Sequence, residues 1–200
     1  MNESGYAWEQ RKLSDLSNVT TGKAFSSSDF TSNGNYNVIT NKNIGDYQKN
    51  RNFVGDKINI DDERIKQQYV LFGANILVTM DGVNIGVAGL YSDNNAVLAQ
   101  RVGRLRSNQP FFVFQLVMDN KFKAAMKRES VGNAIKHISV KQIQDYESYV
   151  PSELEERNEI GCILKNIDDL IVANERQEKI APTEMVQFCS FFLIDFEYFK

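Results

Sequence analysis

The apolar positions along the chain change their spacing from one region to the next. Between residue 22 and about residue 107, short apolar runs are broken by Gly, Asn and Asp. The clearest runs are YNVIT, VLFGANILVTM, VAGLY and AVLAQRVGRLR, and they contain many β-branched residues. Runs of this kind between turn residues are typical of β-strands. The pattern therefore predicts a β-rich region with long polar loops.

Segments with helical spacing lie on both sides of this region. WEQRKLSDLSNVTTG has two leucines three residues apart and predicts a short amphipathic helix that ends in a turn at Gly22. SNQPFFVFQLVMDNKFKAAMKRES predicts a second helix, capped by Ser107 or Asn108 and with Pro110 near its first turn. SVKQIQDY predicts a third helix capped by Ser139, and ESYVP predicts a last strand.

Residues 151–180, PSELEERNEIGCILKNIDDLIVANERQEKI, predict one long helix. Ser152 and Glu155 have the spacing of a capping box, and further glutamates favour the positive end of the helix dipole. At about 1.5 Å per residue such a helix is roughly 40 Å long, more than one small domain needs to cover its core. An apolar stripe with spacings of three and four predicts a partner for one face. The predicted interface residues are Ile160, Ile163, Leu164, Ile167, Leu170, Ile171 and Asn174.

These patterns divide the 200 residues into a globular domain (1–150), a spacer or dimerisation helix (151–180) and an aromatic-rich tail (181–200). The tail segment MVQFCSFFLIDFEYFK is too short and too polar for a membrane span. It fits a covered strand or helix, or a tail altered by truncation or a shifted frame. We expect an α+β fold, with a β-rich domain and short flanking helices followed by the long C-terminal helix.

Charge is unevenly distributed along the chain. Residues 151–200 hold 5 Lys/Arg and 11 Asp/Glu, whereas residues 1–150 hold 18 Lys/Arg and 15 Asp/Glu. The mildly basic globular part is compatible with an anionic partner, although its charge is far below the usual footprint of a DNA-binding domain. The polar N-terminus resembles neither a signal peptide nor a transit peptide, which predicts a cytoplasmic protein.

Candidate catalytic and metal motifs fail when they are tested residue by residue. Gly22 and Lys23 would need a glycine in place of Ser17 and a hydroxyl residue in place of Ala24 to form a phosphate-binding loop. Two cysteines without close spacing and one histidine argue against a structural zinc site. We therefore expect no catalytic residue, no metal site and no cofactor in this chain.

Four blocks of sequence, in a fixed order, resemble a known family. They are WEQRKLSDLSNVTTGKAF, NGNYNVITNKNIGDY, GANILVTMDGVNIGVAGLY with AVLAQRVGRLR, and VGNAIKHISVKQIQDYESYVPSELEERNEIGCILKNIDDLIVANERQEK. Together they are similar to the target recognition domain and conserved helix of a type I restriction-modification specificity subunit. The resemblance covers about residues 8–179.

The resemblance implies a non-catalytic subunit that reads one half of a split sequence in double-stranded DNA. It also implies partners: DNA adenine methyltransferase subunits and a translocating restriction subunit, which would carry S-adenosylmethionine, ATP and Mg. Full-length members have two recognition domains and two long helices, whereas this chain has one of each. We therefore expect a half-length subunit or a fragment, whose helix pairs with itself or with another half-subunit as an antiparallel coiled coil.

Lys23 and polar side chains in and beside TNKNIGDYQKNR and AQRVGRLR are the predicted DNA-reading residues. Asn and Gln can pair bidentately with adenine, and Arg and Lys suit guanine. If AQRVGRLR is a strand, Gln100, Val102, Arg104 and Arg106 share one face. The predicted set consists of Lys23, Asn41, Lys42, Asn43, Lys49, Arg51, Asn52, Gln100, Arg101, Arg104 and Arg106.

Two other classes of function stay open at this stage. A protein-binding adaptor would use the exposed stripe of the long helix, with the globular domain as a cap. DNA binding that weakens steeply as salt rises separates a DNA reader from an adaptor, because a reader releases counterions. An enzyme in its own right would require activity of the purified chain alone.

Overall fold

The computed structural model describes residues 7–45, 55–132 and 136–194, with side chains through residue 175. The chain divides into two compact units, Met1–Gly161 and Cys162–Lys200. The described strands are β1 (Trp8–Lys12), β2 (Asn18–Thr21), β3 (Phe30–Thr31), β4 (Tyr36–Ile39), β5 (Lys57–Ile58), β6 (Val70–Thr79), β7 (Ala88–Leu98), β8 (Val102–Arg106) and β9 (Glu147–Pro151). The described α-helices are α1 (Leu13–Leu16), α2 (Glu63–Tyr69), α3 (Pro110–Met118), α4 (Asn120–Glu129), α5 (Val140–Gln144) and α6 (Leu154–Ile194).

Seven strands of the first unit form one sheet in the order β2-β8-β6-β7-β4-β5-β3. Its pairings are antiparallel except between β4 and β7, where Ile39 lies opposite Leu98 in a parallel register. The β6–β7 pair is irregular between Leu71 and Asn75, where Gly73 has a positive φ of 69°. The buried amide of Asn75 donates to the carbonyls of Leu71 and Gly73 at 3.0 Å each, so it stabilises this irregularity from within.

The main hydrophobic core lies between this sheet and the helices α1, α3, α4 and α5. Ile76, Val78 and Leu105 contribute from the sheet, and Phe122 and Ile143 contribute from the helices. Alternate residues of a strand point to opposite faces, so the intervening residues form a smaller cluster on the other side. That cluster consists of Ile39, Leu71, Leu77, Ala96, Leu98 and Val102.

A second, two-stranded sheet joins β1 to β9 in antiparallel register, with Lys12 opposite Glu147. Asp145 reinforces this junction, since its carboxylate accepts from the Nζ atoms of Lys141 at 2.9 Å and Lys12 at 3.0 Å. These two hydrogen bonds hold the pKa of the Asp145 carboxyl below its usual value. The beginning of the first unit is therefore tied to the strand that precedes α6.

The prediction of an N-terminal helix in WEQRKLSDLSNVTTG is wrong for most of this segment. Only Leu13–Leu16 are helical, and β1 and β2 flank them. Both leucines are buried, so their predicted apolar spacing is confirmed. The flanking residues are strands because β9 and β8 supply their hydrogen-bond partners, and both partners come from distant parts of the sequence.

The second predicted helix is two helices, because the chain is extended at Asp119 (φ −60°, ψ 137°). The Asp119 side chain accepts a backbone N–H of α4 at 2.9 Å and caps that helix. Pro110 stands in the first turn of α3, as predicted. The N-cap residue of α3 is Gln109, and not Ser107 or Asn108 as predicted. Ser107 instead supports the turn, with its Oγ accepting the Gln109 N–H at 3.0 Å.

The strands predicted from YNVIT, VLFGANILVTM, VAGLY and ESYVP are confirmed, as is the short helix capped by Ser139. AVLAQRVGRLR, in contrast, is not one strand, since it supplies the end of β7, a turn and β8. Gln100 lies in the turn, and the prediction that it shares a strand face with Arg104 and Arg106 is wrong. The turn depends on Arg101, which has a positive φ of 64°.

The long helix is confirmed, and α6 extends beyond the predicted residue 180 to Ile194. The tail predicted as residues 181–200 is therefore helical through Ile194. Ser152 is not the cap next to the first helical residue, Leu154. Its N–H donates instead to the carbonyl of Ala7 at 2.8 Å. Within the part of the chain that the structure describes, no helix is long and apolar enough to cross a membrane.

The start of α6 is anchored in the first unit by a buried arginine and a glycine. Arg157 is 8% exposed, and its guanidinium donates at 2.6 Å to Gln109 Oε1 and at 2.6 Å to the carbonyl of Pro151. A Cβ added to Gly161 would lie 2.5 Å from the backbone nitrogen of Phe112. The backbones of α6 and α3 therefore approach each other too closely for any larger residue at this position.

Candidate functional site

A cleft of about 550 Å³ opens in the first unit and gathers five of the predicted DNA-reading residues. They come from three separate segments of the sequence, because the parallel pairing of β4 and β7 places the residues after both strands side by side. Ala99 N–H donates to the carbonyl of Ile39 at 2.9 Å, and Gln100 N–H donates to the carbonyl of Lys23 at 2.8 Å. The five residues are Lys23, Asn41, Lys42, Gln100 and Arg101.

Asp81, two residues beyond the end of β6, lies at the centre of a hydrogen-bond network in this cleft. Its Oδ1 accepts from the Asn41 amide, and its Oδ2 accepts from Arg101 Nη1 at 3.3 Å. The Met80 N–H donates to Asn41 Oδ1 at 3.3 Å. Both polar atoms of the Asn41 side chain are thus engaged inside the protein, and one N–H and one oxygen lone pair are left for a ligand.

The basic side chains of the cleft are more accessible. Lys42 is exposed, and the Arg101 side chain is 62% exposed and uses one guanidinium nitrogen for Asp81. Arginine has five N–H donors in a planar fork, so the remaining donors of Arg101 can bind a second acceptor. Lys23, Lys42 and Arg101 give the cleft three positive charges, against two negative charges from Asp56 and Asp81. This mixture offers donors and acceptors of the kind that read base edges.

Asn43, another predicted reading residue, holds the turn on which its neighbours stand. Its Oδ1 accepts from the backbone N–H of Thr40 at 2.8 Å and from the Thr40 hydroxyl at 3.0 Å. These bonds close the 3-10 turn Asn41–Asn43. Asn43 therefore fixes the backbone from which Asn41 and Lys42 reach the cleft.

Arg104 and Arg106 share one face of β8, as predicted, but neither lines the cleft. Arg104 is 5% exposed and donates to Thr20 Oγ1 at 3.3 Å. Burial, with a smaller contribution from Arg106, lowers its pKa to about 10. Arg106 donates to Asn75 Oδ1 at 3.0 Å, and its guanidinium carbon lies 4.4 Å from the ring centre of Phe72. Burial lowers its pKa as well. Arg106 is therefore committed to contacts within the protein, whereas buried Arg104 has one such bond and its Nη1 has no hydrogen-bond partner.

The other predicted DNA-reading residues, Lys49, Arg51 and Asn52, lie outside the described residues. Asp81 and Val83 are among the cleft residues that the sequence-based prediction missed. Both belong to the glycine-rich segment DGVNIG, and glycines of this kind are typical of tight turns. The available signal was an acidic residue directly after the apolar run ILVTM. Val83 is 90% exposed and places an apolar side chain at the edge of the cleft.

The described residues contain no group of three or more His, Cys, Asp or Glu side chains placed to hold a metal ion. The predicted stripe of α6 is mostly open to solvent. Ile160, the first of its residues, packs against the main core of the first unit. Further along the helix, the other five apolar residues of the stripe are 36–68% exposed, and Asn174 is exposed as well. The exposed apolar members are Ile163, Leu164, Ile167, Leu170 and Ile171.

Residues 6–181 match a family described as the type I restriction modification DNA specificity domain. No curated protein matches the chain. The fold is similar to a solved S subunit of a type I restriction-modification system from M. genitalium, with a TM-score of 0.57 and 17% identity. That alignment covers 84% of this chain and 40% of the other.

The HsdS subunit from Thermoanaerobacter tengcongensis aligns with a TM-score of 0.62 and 15% identity, covering 88% of this chain and 41% of that subunit. A chain from a structure of type I R-M complex assembly and conformational transition aligns with a TM-score of 0.61 and 15% identity. That alignment covers 94% of this chain and 46% of the other. The present chain thus spans less than half the length of the structures it matches, and at these identities the similarity concerns the fold.

Proposed function

Because the chain belongs to the family of type I restriction-modification DNA specificity domains, we propose that it reads one half of a split DNA site within such a complex. The observation that carries this proposal is the cleft, which gathers Lys23, Asn41, Lys42, Gln100 and Arg101 from separate segments of the sequence. Amide and guanidinium groups can pair with base edges in the major groove, and the lysines suit phosphate oxygens.

The proposal extends to the partners of the chain. In this view it is a non-catalytic, cytoplasmic subunit that docks DNA adenine methyltransferase subunits and a translocating restriction subunit. Those partners would hold S-adenosylmethionine, ATP and Mg. The helix α6 would pair with another copy or with another half-subunit and would set the distance between two recognition domains.

A second candidate is a protein-binding adaptor that acts through the exposed apolar residues of α6. One observation favours it: five large apolar side chains from residue 163 to residue 171 are at least 36% exposed. A stripe of this kind marks an interaction surface. An adaptor would bind its partner without DNA, so the two functions predict different behaviour in a DNA-binding experiment.

Binding of the full chain to randomised duplex DNA, alone and with a type I methyltransferase subunit, tests the proposal. We expect enrichment of a short sequence and an affinity that falls steeply with salt. Lys42→Ala should weaken binding to all sequences and reduce the salt slope by about 1, since it removes one phosphate contact. Lys121→Ala is the matched control, because it removes an exposed lysine that does not line the cleft. Equal binding of all sequences would refute the reading function.

A further inference from the structure

Asp81 is an acidic residue in a cleft whose proposed ligand is an anion. A carboxylate in such a place repels DNA phosphates. If the cleft binds DNA, Asp81 must favour binding or specificity in another way that offsets this repulsion. The Asp81 side chain is 20% exposed, which leaves it accessible from the cleft but largely covered by its neighbours.

Those neighbours are the two residues of the cleft whose side chains best suit base reading. Asp81 Oδ1 accepts from the Asn41 amide, and Oδ2 accepts from Arg101 Nη1 at 3.3 Å. Each carboxylate oxygen therefore holds one predicted reading residue. The contact also joins two segments of the fold, the 3-10 turn after β4 and the turn before β8.

The backbone around Asp81 strengthens this arrangement. Met80 N–H lies 3.2 Å from the carbonyl oxygen of Arg101 and 3.3 Å from Asn41 Oδ1. The next residue, Gly82, donates its N–H to the carbonyl of Lys136 at 3.0 Å. Arg101 itself has a left-handed φ of 64°, a conformation that non-glycine residues adopt rarely. The position of the Arg101 backbone is thus determined by the fold, and Asp81 contacts the end of its side chain.

An exposed arginine has several rotatable bonds, and a bidentate contact with guanine needs its planar fork in one orientation. An ion pair at one nitrogen restricts that orientation and leaves the other donors available. Because the ion pair lies in the protein before DNA binds, part of the ordering is complete in the free state. The carboxylate also weakens indiscriminate attraction of Arg101 to phosphates, which favours specific over non-specific binding.

We propose that Asp81 is a positioning residue for sequence reading, which orients Arg101 and Asn41 so that Arg101 discriminates one base of the half-site. This inference rests on the proposed DNA-reading function. It assigns a role to a residue that does not itself need to contact the base, and it predicts that loss of Asp81 changes preference rather than overall affinity.

The test measures base preference by selection from randomised duplexes with the full chain, and salt dependence on the selected site. Asp81→Asn keeps the size of the side chain and removes its charge. We expect it to lose discrimination at the position that Arg101→Gln also affects, by about 5- to 150-fold, the range for one bidentate contact. Affinity for unrelated DNA should stay equal or increase.

Asp56→Asn is the matched control, since Asp56 lines the same cleft and its substitution removes the same charge. It should strengthen binding to all sequences without a change in base preference. In the Asp81→Asn, Arg101→Gln double variant, discrimination should be no worse than in Arg101→Gln alone, because both substitutions remove one interaction. Thermal melting checks that each variant is folded, and Arg101→Gln, at an exposed side chain, carries the test independently.

The possible outcomes separate the inference from the function on which it rests. If Asp81→Asn keeps the native base preference, or behaves like Asp56→Asn, Asp81 acts only through its charge and the inference is overturned. If Arg101→Gln keeps the native preference, Arg101 reads no base and the inference is overturned as well. If the unaltered chain binds all sequences equally, the reading function fails, and the inference fails with it.

Discussion

Single side chains show most clearly what the sequence could predict about the site. Four predicted residues of TNKNIGDYQKNR and AQRVGRLR line one cleft together with Lys23, and their role in reading DNA stays a prediction. The pattern could not show which side chains were already engaged. Arg104 and Arg106 alternate as predicted, but their face is covered by Thr20 and by Phe72. That cover depends on pairing with distant strands, and local alternation carries no information about it.

Arg106 should therefore contribute to stability. Arg106→Ala removes a charged hydrogen bond to Asn75, another to the carbonyl of Val70 at 3.2 Å, and the contact with Phe72. We expect the free energy of unfolding to fall by about 1.5–3 kcal/mol, the range for hydrogen bonds to a charged group, as measured by urea denaturation. Arg101→Ala is the control and should change stability by less than about 1 kcal/mol, since it breaks one solvent-exposed ion pair. Equal losses for the two variants would contradict the assignment of Arg106.

At the scale of elements, local patterns predicted the type of most helices and strands but not every boundary. The strand β1 was predicted as helix because Leu13 and Leu16 have helical spacing. The strand with which β1 pairs, β9, lies near the other end of the sequence of the globular unit. The break between α3 and α4 was also missed, although Asp119 is a common helix cap. The long helix was predicted to begin at residue 151, and α6 begins at Leu154, so its start was predicted to within three residues.

Gly161 gives a test of how the start of α6 packs against α3 within the first unit. Alanine in place of glycine within a helix normally stabilises by about 0.5–1 kcal/mol. Here the added Cβ would lie 2.5 Å from Phe112 N, so we expect Gly161→Ala to destabilise by about 1–3 kcal/mol, as overpacked sites do. Asn158→Ala, at an exposed position of the same helix, should be neutral or stabilising. Thermal and urea denaturation measure both, and a stabilised Gly161→Ala variant would show that the two helices can separate at no cost.

The chain divides into a globular unit and a second unit, in which five of the described apolar side chains, from Ile163 to Ile171, are exposed. The sequence predicted a long helix after the globular domain, with an apolar stripe that continues beyond what one small domain can cover, and the domain bounds that it predicted stay a prediction. It could not identify what covers the stripe. Pairing between two copies stays a prediction, and so do the antiparallel arrangement and the role of α6 as a spacer between recognition domains.

Self-association through α6 can be measured directly. The variant Ile163→Asp, Ile167→Asp places two charges on the exposed stripe. Because burial of each Ile at an interface contributes about 1.5–3 kcal/mol, the dissociation constant of the dimer should rise at least about 100-fold. The matched control is Cys162→Asp with Asn166→Asp, which introduces two carboxylates at the same spacing on a neighbouring face. Sedimentation equilibrium of the full chain measures the dimer dissociation constant of each double variant, and the control should dissociate like the unaltered chain. A double Ile163, Ile167 variant that remains dimeric would place the interface elsewhere.

The pairing of β1 with β9 also has a consequence for the order of events while the chain is synthesised. The first strand leaves the ribosome early, but its partner, which runs from Glu147 to Pro151, is made almost last in the globular unit. At about 5–20 residues per second, the intervening stretch takes roughly 7–27 s to translate. During that time the backbone groups of Trp8–Lys12 have no β9 to pair with. The two-stranded sheet can therefore close only when the nascent chain has reached the start of α6.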